Sequence, residues 1–168
     1  FMGNSTEYLE ALYGIWFAGA VAVPINHKLH PREAAFIVSD SGAKLVLVSG
    51  GETGPLEDTG AEILPVGGAG FEALFDQPPL ETPHPQEDDA LAWLFYTSGT
   101  TGRPKGVMLS VANLQAMSFA YFVDVDEVKT EDAALYAAPM SHGAGLYNFM
   151  HVLRGSRHVV PVSGGFDP

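Results

Sequence analysis

The sequence predicts an α/β fold of mostly parallel sheets with flanking helices, and three observations carry that expectation. Apolar runs of strand length alternate with amphipathic stretches of helix length. The joints between them are short and hold Gly, Pro or Ser. The strand-like runs are apolar at successive positions, as in strands covered on both faces.

Taken in order, NSTEYLEALYGIWFAGA reads as a helix, with Asn4 as N-cap and Glu7 in capping-box position. Leu9, Leu12, Tyr13 and Trp16 recur at helical spacing, and Gly19 can end the helix in the left-handed region. Val21–Ile25 reads as a short strand, with Pro24 marking its end or an unpaired edge. The next helix opens at Pro31, buries Ala34, Ala35, Ile37 and Val38, and stops at Gly42. Strands follow at Lys44–Ser49 and Glu62–Val66. Asp76–Asp89 carries four prolines and five acids in fourteen residues and reads as a linker, with Glu87, Asp88 and Asp89 on a solvated face. Ala90–Ser98 is a buried-type strand running into a Ser/Thr/Gly loop. A helix capped by Ser110, a strand over Asp132–Met140, a helix over Gly143–Gly155 and a strand over Arg157–Val162 complete the alternation.

The 168 residues are 46% apolar and 17% charged, a globular composition. The net charge of −12 argues against nucleic acid or an anionic membrane as partner. Residues 1–89 hold three cations against fourteen acids, whereas residues 90–168 hold five against six. Two of those five, Arg103 and Lys105, lie in or beside the Ser/Thr/Gly loop. No apolar run reaches the ~20 residues of a membrane span. With no Cys there is no disulfide, thiolate metal site or Cys nucleophile. FMGNSTEYLE lacks the basic region of a secretory signal, and the absence of Cys fits the expected cytoplasmic setting. Homo-oligomerisation is left open.

The loop in FYTSGTTGRPKGVMLS puts backbone N–H groups and hydroxyls at the carboxyl end of a strand, where open α/β folds bind ligands. Thr97, Ser98, Thr100 and Thr101 offer hydroxyls, Gly99 and Gly102 permit close approach, and Lys105 adds a point charge. The Walker A pattern fails: counting from Gly99, Pro104 stands where Gly is required, and Gly106 follows Lys105. Pro104 also lacks an N–H and disfavours a helical Arg103, so no helix is expected to start there.

YTSGTTGRPKGV closely resembles the signature loop of the adenylate-forming (AMP-binding) superfamily, through twelve consecutive positions. That superfamily includes acyl- and aryl-CoA synthetases, peptide-synthetase adenylation domains and beetle luciferases. NSTEYLEALYGIWFAGAVAVPIN and HPREAAFIVSDSGAKLVLV are similar to its early helices and strands, and PMSHGAG to the P-[LM]-x-H-x-x-G motif of its CoA ligases. The resemblance covers nearly the whole chain, residues 50–89 least. It implies part of the family's N-terminal domain: residues 1–123 as most of one α/β subdomain, with a linker at 76–89 and a phosphate loop at 96–106, and residues 132–168 opening a second.

By this resemblance the chain is part of an acid–CoA ligase that uses MgATP to make an acyl-adenylate from a carboxylic acid, then transfers it to CoA. Thr97, Ser98, Gly99, Thr100, Thr101, Gly102 and Lys105 would wrap the β- and γ-phosphates, with Thr97 as hydroxyl ligand of Mg²⁺. His142 and Gly143 would line the acyl pocket. Tyr147 and Met150 fit either the acyl tunnel or the core. His27, His30, His84, His151 and His158 show no metal-site spacing and read as structural or surface residues. Val111 stands where many members carry His. The later Y-G-x-T-E and T-G-D motifs and the C-terminal lysine are not among these residues, so no complete catalytic set is expected. Exposed apolar surface and an inactive isolated chain are expected. A peptide-synthetase-type adenylation domain, a luciferase-like oxygenase and a non-catalytic nucleotide-binding module are the other readings. P-x-x-H-x-x-G speaks against the first, the intact Lys105 loop speaks against the last, and these residues do not separate the oxygenase.

Overall fold

Helix α1 (Thr6–Phe17) is capped by Ser5, whose Oγ accepts the Tyr8 N–H at 3.3 Å. The cap therefore lies one residue later than the sequence pattern indicates. Asn4 is drawn away by partners in residues 136–140. The computed structural model describes residues 1–97 and 103–163. Helix α1 buries Tyr8 and Leu12, and the chain turns at Gly19, with φ of 77°. Residues 21–25 do not form a full strand. Ala22 makes one parallel bridge to Trp93, donating to the Ala92 carbonyl at 3.0 Å and accepting from the Leu94 N–H at 2.9 Å. Pro24 has no N–H to extend that ladder.

Helix α2 (Pro31–Ser41) has a capping box: His30 Nδ1 accepts the Arg32 N–H at 3.2 Å and Glu33 Oε2 accepts the His30 N–H at 3.1 Å. It buries Ala34, Ile37 and Val38 and ends at Gly42, with φ of 67°. Strands β1 (Leu45–Val48) and β2 (Glu62–Pro65) pair in parallel, with the short α3 (Gly54–Glu57) between them and α4 (Ala69–Glu72) after. Residues 76–89 are largely exposed but return to the end of α1. There the His84 N–H donates to the Phe17 carbonyl at 2.9 Å and Gln86 Nε2 to the Trp16 carbonyl at 3.3 Å. The first satisfies a carbonyl that the helix leaves open, and the second adds to the Gly19 N–H already on the Trp16 carbonyl.

Strand β3 (Leu91–Thr97) turns back as the antiparallel β4 (Lys105–Ser110), which leads into α5 (Val111–Asp124). Ser110 caps α5, with Asn113 completing a capping box. Strands β5 (Ala133–Leu135) and β6 (Arg157–Val159) pair in parallel, joined by a 3₁₀ turn (Gly143–Tyr147) and α6 (Asn148–Arg154). Among the described residues there are thus three two-stranded sheets, two parallel and one antiparallel. Strand β4 has no counterpart in the sequence-derived elements. Its Gly106 and its exposed Val107 and Met108 break the apolar pattern of a covered strand.

Two apolar clusters hold these elements. One gathers Tyr8, Leu12, Trp93, Leu114, Tyr136 and Met140, drawing on both ends of the chain. The other packs α2 against β1 through Ile37, Val38, Val46 and Leu56. Trp93 is fully buried, with Trp16 at 5.7 Å and Phe149 at 6.3 Å between ring centres. Helices α1, α5 and α6, with His84 and Gln86, line an open apolar pocket of about 460 Å³ beside Trp16, Leu114 and Phe149. Phe119, Val123 and Leu153 stand well exposed.

Candidate functional site

The β3–β4 hairpin sets the site. Its last paired residues are Thr97 and Lys105, which face each other across the ladder. Directly opposed residues share a face of an antiparallel pair, and so do alternate residues along one strand. Phe95, Thr97 and Lys105 therefore lie on one face of the hairpin, and Tyr96 lies on the other. Ser98, Gly99, Thr100, Thr101 and Gly102 lie outside the described residues.

Two side chains fix this hairpin to its surroundings. The Tyr96 hydroxyl donates to Asp40 Oδ2 on α2 at 2.6 Å. Burial, and then that carboxylate, push the Tyr96 hydroxyl pKa well above its ordinary value, so it stays a donor. On the opposite face the Phe95 ring lies 5.0 Å from the His142 ring. Gly106, opposite Tyr96, is tightly placed: a Cβ there would come within 3.0 Å of Leu94 Cδ1 and 3.1 Å of Tyr96 Cζ. A side chain at residue 106 would press on the Leu94 and Tyr96 side chains.

His142 itself is exposed on a tight turn between buried Met140 and buried Gly145. Its N–H donates to the Pro139 carbonyl at 3.1 Å, and its carbonyl accepts the Gly145 N–H at 2.9 Å. Gly145 touches the Met140 carbonyl so closely that a Cβ would sit 1.8 Å from its oxygen. Gly143 has open space around its Cα. Thus the fold brings together, around β3, two stretches that lie far apart in sequence: the ends of the Ser/Thr/Gly loop and the PMSHGAG turn. Tyr147 is half exposed, whereas Met150 is fully buried in the interior.

The other histidines lie elsewhere. His30 caps α2, and His84 packs on Gly19. His27 lies against Gly3, His151 Nδ1 lies 2.7 Å from Ser156 Oγ, and His158 Nδ1 lies 2.9 Å from the Tyr136 hydroxyl. No group of three His, Cys, Asp or Glu that could hold a metal occurs among the described residues. A hard cation here would depend on the Thr97 hydroxyl and on oxygens that a ligand supplies, the usual manner of Mg²⁺ with phosphates.

Sequence reasoning missed Asp40, Tyr96 and Phe95 as supports of the loop, and Asn4, Tyr13 and Asn148 as supports of the turn. A polar residue ending a buried strand, as in Phe-Tyr-Thr, and a lone Asn at the start of an apolar helix were the available signals.

The chain is thus an α/β domain in which the mouth of a two-stranded antiparallel hairpin joins Thr97 to Lys105 and a histidine turn backs it. The chain belongs to the AMP-binding enzyme family, whose pattern matches residues 1–167. Feruloyl-CoA synthase of Amycolatopsis sp is 35% identical over 168 residues, covering 98% of this chain and 33% of that protein. Long-chain-fatty-acid–CoA ligase FadD13 of Mycobacterium tuberculosis is 36% identical over 157 residues, covering 86% of this chain and 30% of its own. Among solved structures, o-succinylbenzoate CoA synthetase of Bacillus subtilis, in complex with the acyl-adenylate intermediate OSB-AMP, superposes with a TM-score of 0.82 at 26% identity. The match covers 99% of this chain and 43% of that one. The chain spans about a third of the length of the curated relatives it matches.

Proposed function

We propose that these residues form the pyrophosphate-gripping and acid-facing part of an acid–CoA ligase. The observation that supports this best is the shared face of Phe95, Thr97 and Lys105, with His142 5.0 Å from Phe95. A polyphosphate held at the hairpin mouth would lie beside an acid held at the His142 turn.

In the proposed first half-reaction an oxygen of the substrate carboxylate attacks the α-phosphorus of ATP. The new P–O bond gives the acyl-adenylate as the bond to pyrophosphate breaks. Carboxylates are ionised near neutral pH, so no general base is required. Lys105, with the loop's N–H donors and hydroxyls at 97–102, stabilises the charge gathering on the leaving pyrophosphate. Mg²⁺, bound with ATP, supplies further neutralisation of that charge. His142 and Gly143 orient the acid. In the second half-reaction the CoA sulfur attacks the acyl carbon and AMP leaves. The 168-residue chain alone is expected to form no acyl-adenylate, and a cytoplasmic setting fits the absence of Cys. No helix in the described residues is long and apolar enough to cross a membrane.

The test is acid-dependent exchange of labelled pyrophosphate into ATP by the full-length gene product, over a panel of fatty, aryl and amino acids. Exchange with fatty or aryl acids, followed by a CoA thioester, is the expected result. Exchange confined to amino acids would favour a peptide-synthetase-type adenylation domain. ATP binding without exchange would favour a non-catalytic nucleotide-binding module.

A further inference from the structure

The geometry points to Asn4 as a positioning residue that sets the His142 turn from the far end of the chain. The inference rests on the reading of His142 as a wall of the acid pocket. Asn4 Nδ2 donates to the Tyr136 carbonyl at 3.0 Å and to the Ala138 carbonyl at 2.8 Å, and its Oδ1 accepts the Met140 N–H at 2.8 Å. Both amide protons and the amide oxygen are thus engaged. Residues 136–140 connect the end of β5 to the turn, and the three backbone groups that Asn4 binds alternate along this segment. One side chain therefore does for the segment what a neighbouring strand would do. Asp offers no donor at neutral pH, Ser offers one, and Gln carries a longer stem.

The other end of the turn is held from the same direction. Asn148 is fully buried; its Oδ1 accepts the Tyr13 hydroxyl of α1 at 2.6 Å, and its Nδ2 donates to the Gly145 carbonyl. Met140 and Gly145 are thus both tied to α1 or its immediate lead, and His142 projects from the turn between them. Because α1 also holds β3 through the Trp16 indole, which donates to the Ala92 carbonyl at 2.7 Å, the same helix sets both the turn and the strand that carries Phe95. The distance between His142 and the hairpin mouth is thereby fixed by Asn4, Tyr13 and Trp16, none of which faces a ligand in this reading.

The experiment uses the full-length gene product, with the acid giving the strongest pyrophosphate exchange. Asn4→Asp keeps the acceptor, loses both donors and sets a carboxylate against two carbonyls. It should raise KM for the acid by about fivefold to fiftyfold and leave KM for ATP within about twofold. Added to His142→Ala, it should raise KM for the acid no further, since both changes disable one turn. Asn4→Ser, which keeps one donor, should shift KM for the acid in the same direction by less, and it decides the matter if Asn4→Asp does not fold. A melting temperature that falls with both KM values unchanged, or full additivity with His142→Ala, overturns the inference. An unchanged KM for the acid in His142→Ala alone sinks the pocket reading instead. The Asn4 inference is then decided by NMR of the His142 ring protons, which lie beside the Phe95 ring. Altered shifts in Asn4→Asp support it, and unaltered shifts overturn it.

Discussion

Replacing Gly145 by Ala tests the turn most sharply. The added Cβ would lie 1.8 Å from the Met140 carbonyl oxygen and 2.9 Å from its carbonyl carbon. Both are backbone atoms, and Met140 is fully buried, so no side chain can swing aside to relieve the clash. The turn must open by more than an ångström, or roughly the shortfall from ordinary van der Waals separation. Overpacking of this kind costs about 1–3 kcal/mol. Opening the turn also weakens the Gly145 N–H to His142 carbonyl bond of 2.9 Å, adding about 1 kcal/mol. The expected loss is about 2–4 kcal/mol, a fall in melting temperature on the order of 10 °C for a chain of this size. Gly143→Ala, two residues away with no atom within 4 Å of the new Cβ, should stay within about 0.5 kcal/mol of the parent. Guanidinium unfolding at constant m-value measures both. The reasoning is refuted if the Gly145 variant matches the parent, or if the two glycine variants cost the same.

Three further outcomes follow from the same structure. Trp93→Ala should cost about 3–5 kcal/mol in chemical denaturation, as for other buried aromatics. Trp93→Phe should cost much less, because the buried indole N–H has no partner among the described residues and its desolvation penalty goes with it. Lys105→Ala should weaken pyrophosphate binding by about tenfold or more in calorimetry, with a shallower salt dependence, while leaving the melting temperature nearly unchanged, since Lys105 is exposed. Burial, and then the neighbouring His151, hold His158 below its ordinary pKa of 6.5. The unfolded chain therefore takes up the proton first, and this contribution to stability is present above about pH 6.5 and lost as pH falls. Between about pH 7.5 and about pH 5.5 the parent should lose more melting temperature than His158→Gln; parallel curves would exclude it.

Local signals in the sequence carried most of the helices. Pro31 and Gly42 bracket α2, and Ser110 starts α5, because caps and φ-restricted residues act within one turn. Strand lengths were less legible. After Asp132 the Asp132–Met140 run is largely apolar, yet only Ala133–Leu135 pairs, since Asn4 takes over the backbone groups beyond it. Of the candidate site, the sequence singled out Thr97 and Lys105, but their direct opposition was not legible, because β4 lacks an apolar alternation. The approach of His142 to Phe95 depends on packing between distant segments, which no local pattern encodes.

The three bonds of Asn4 join residues 132, 134 and 136 positions apart in the chain. Closing so long a loop costs entropy before the bonds return any of it. Contacts of that separation form late, after the helices and the β3–β4 hairpin have been secured by nearer neighbours. The histidine turn is therefore expected to be among the later of the described segments to acquire its shape. Its opening would proceed at a lower free energy than global unfolding and would register in amide exchange at residues 142–145 while α2 and β1, in the other cluster, remain protected.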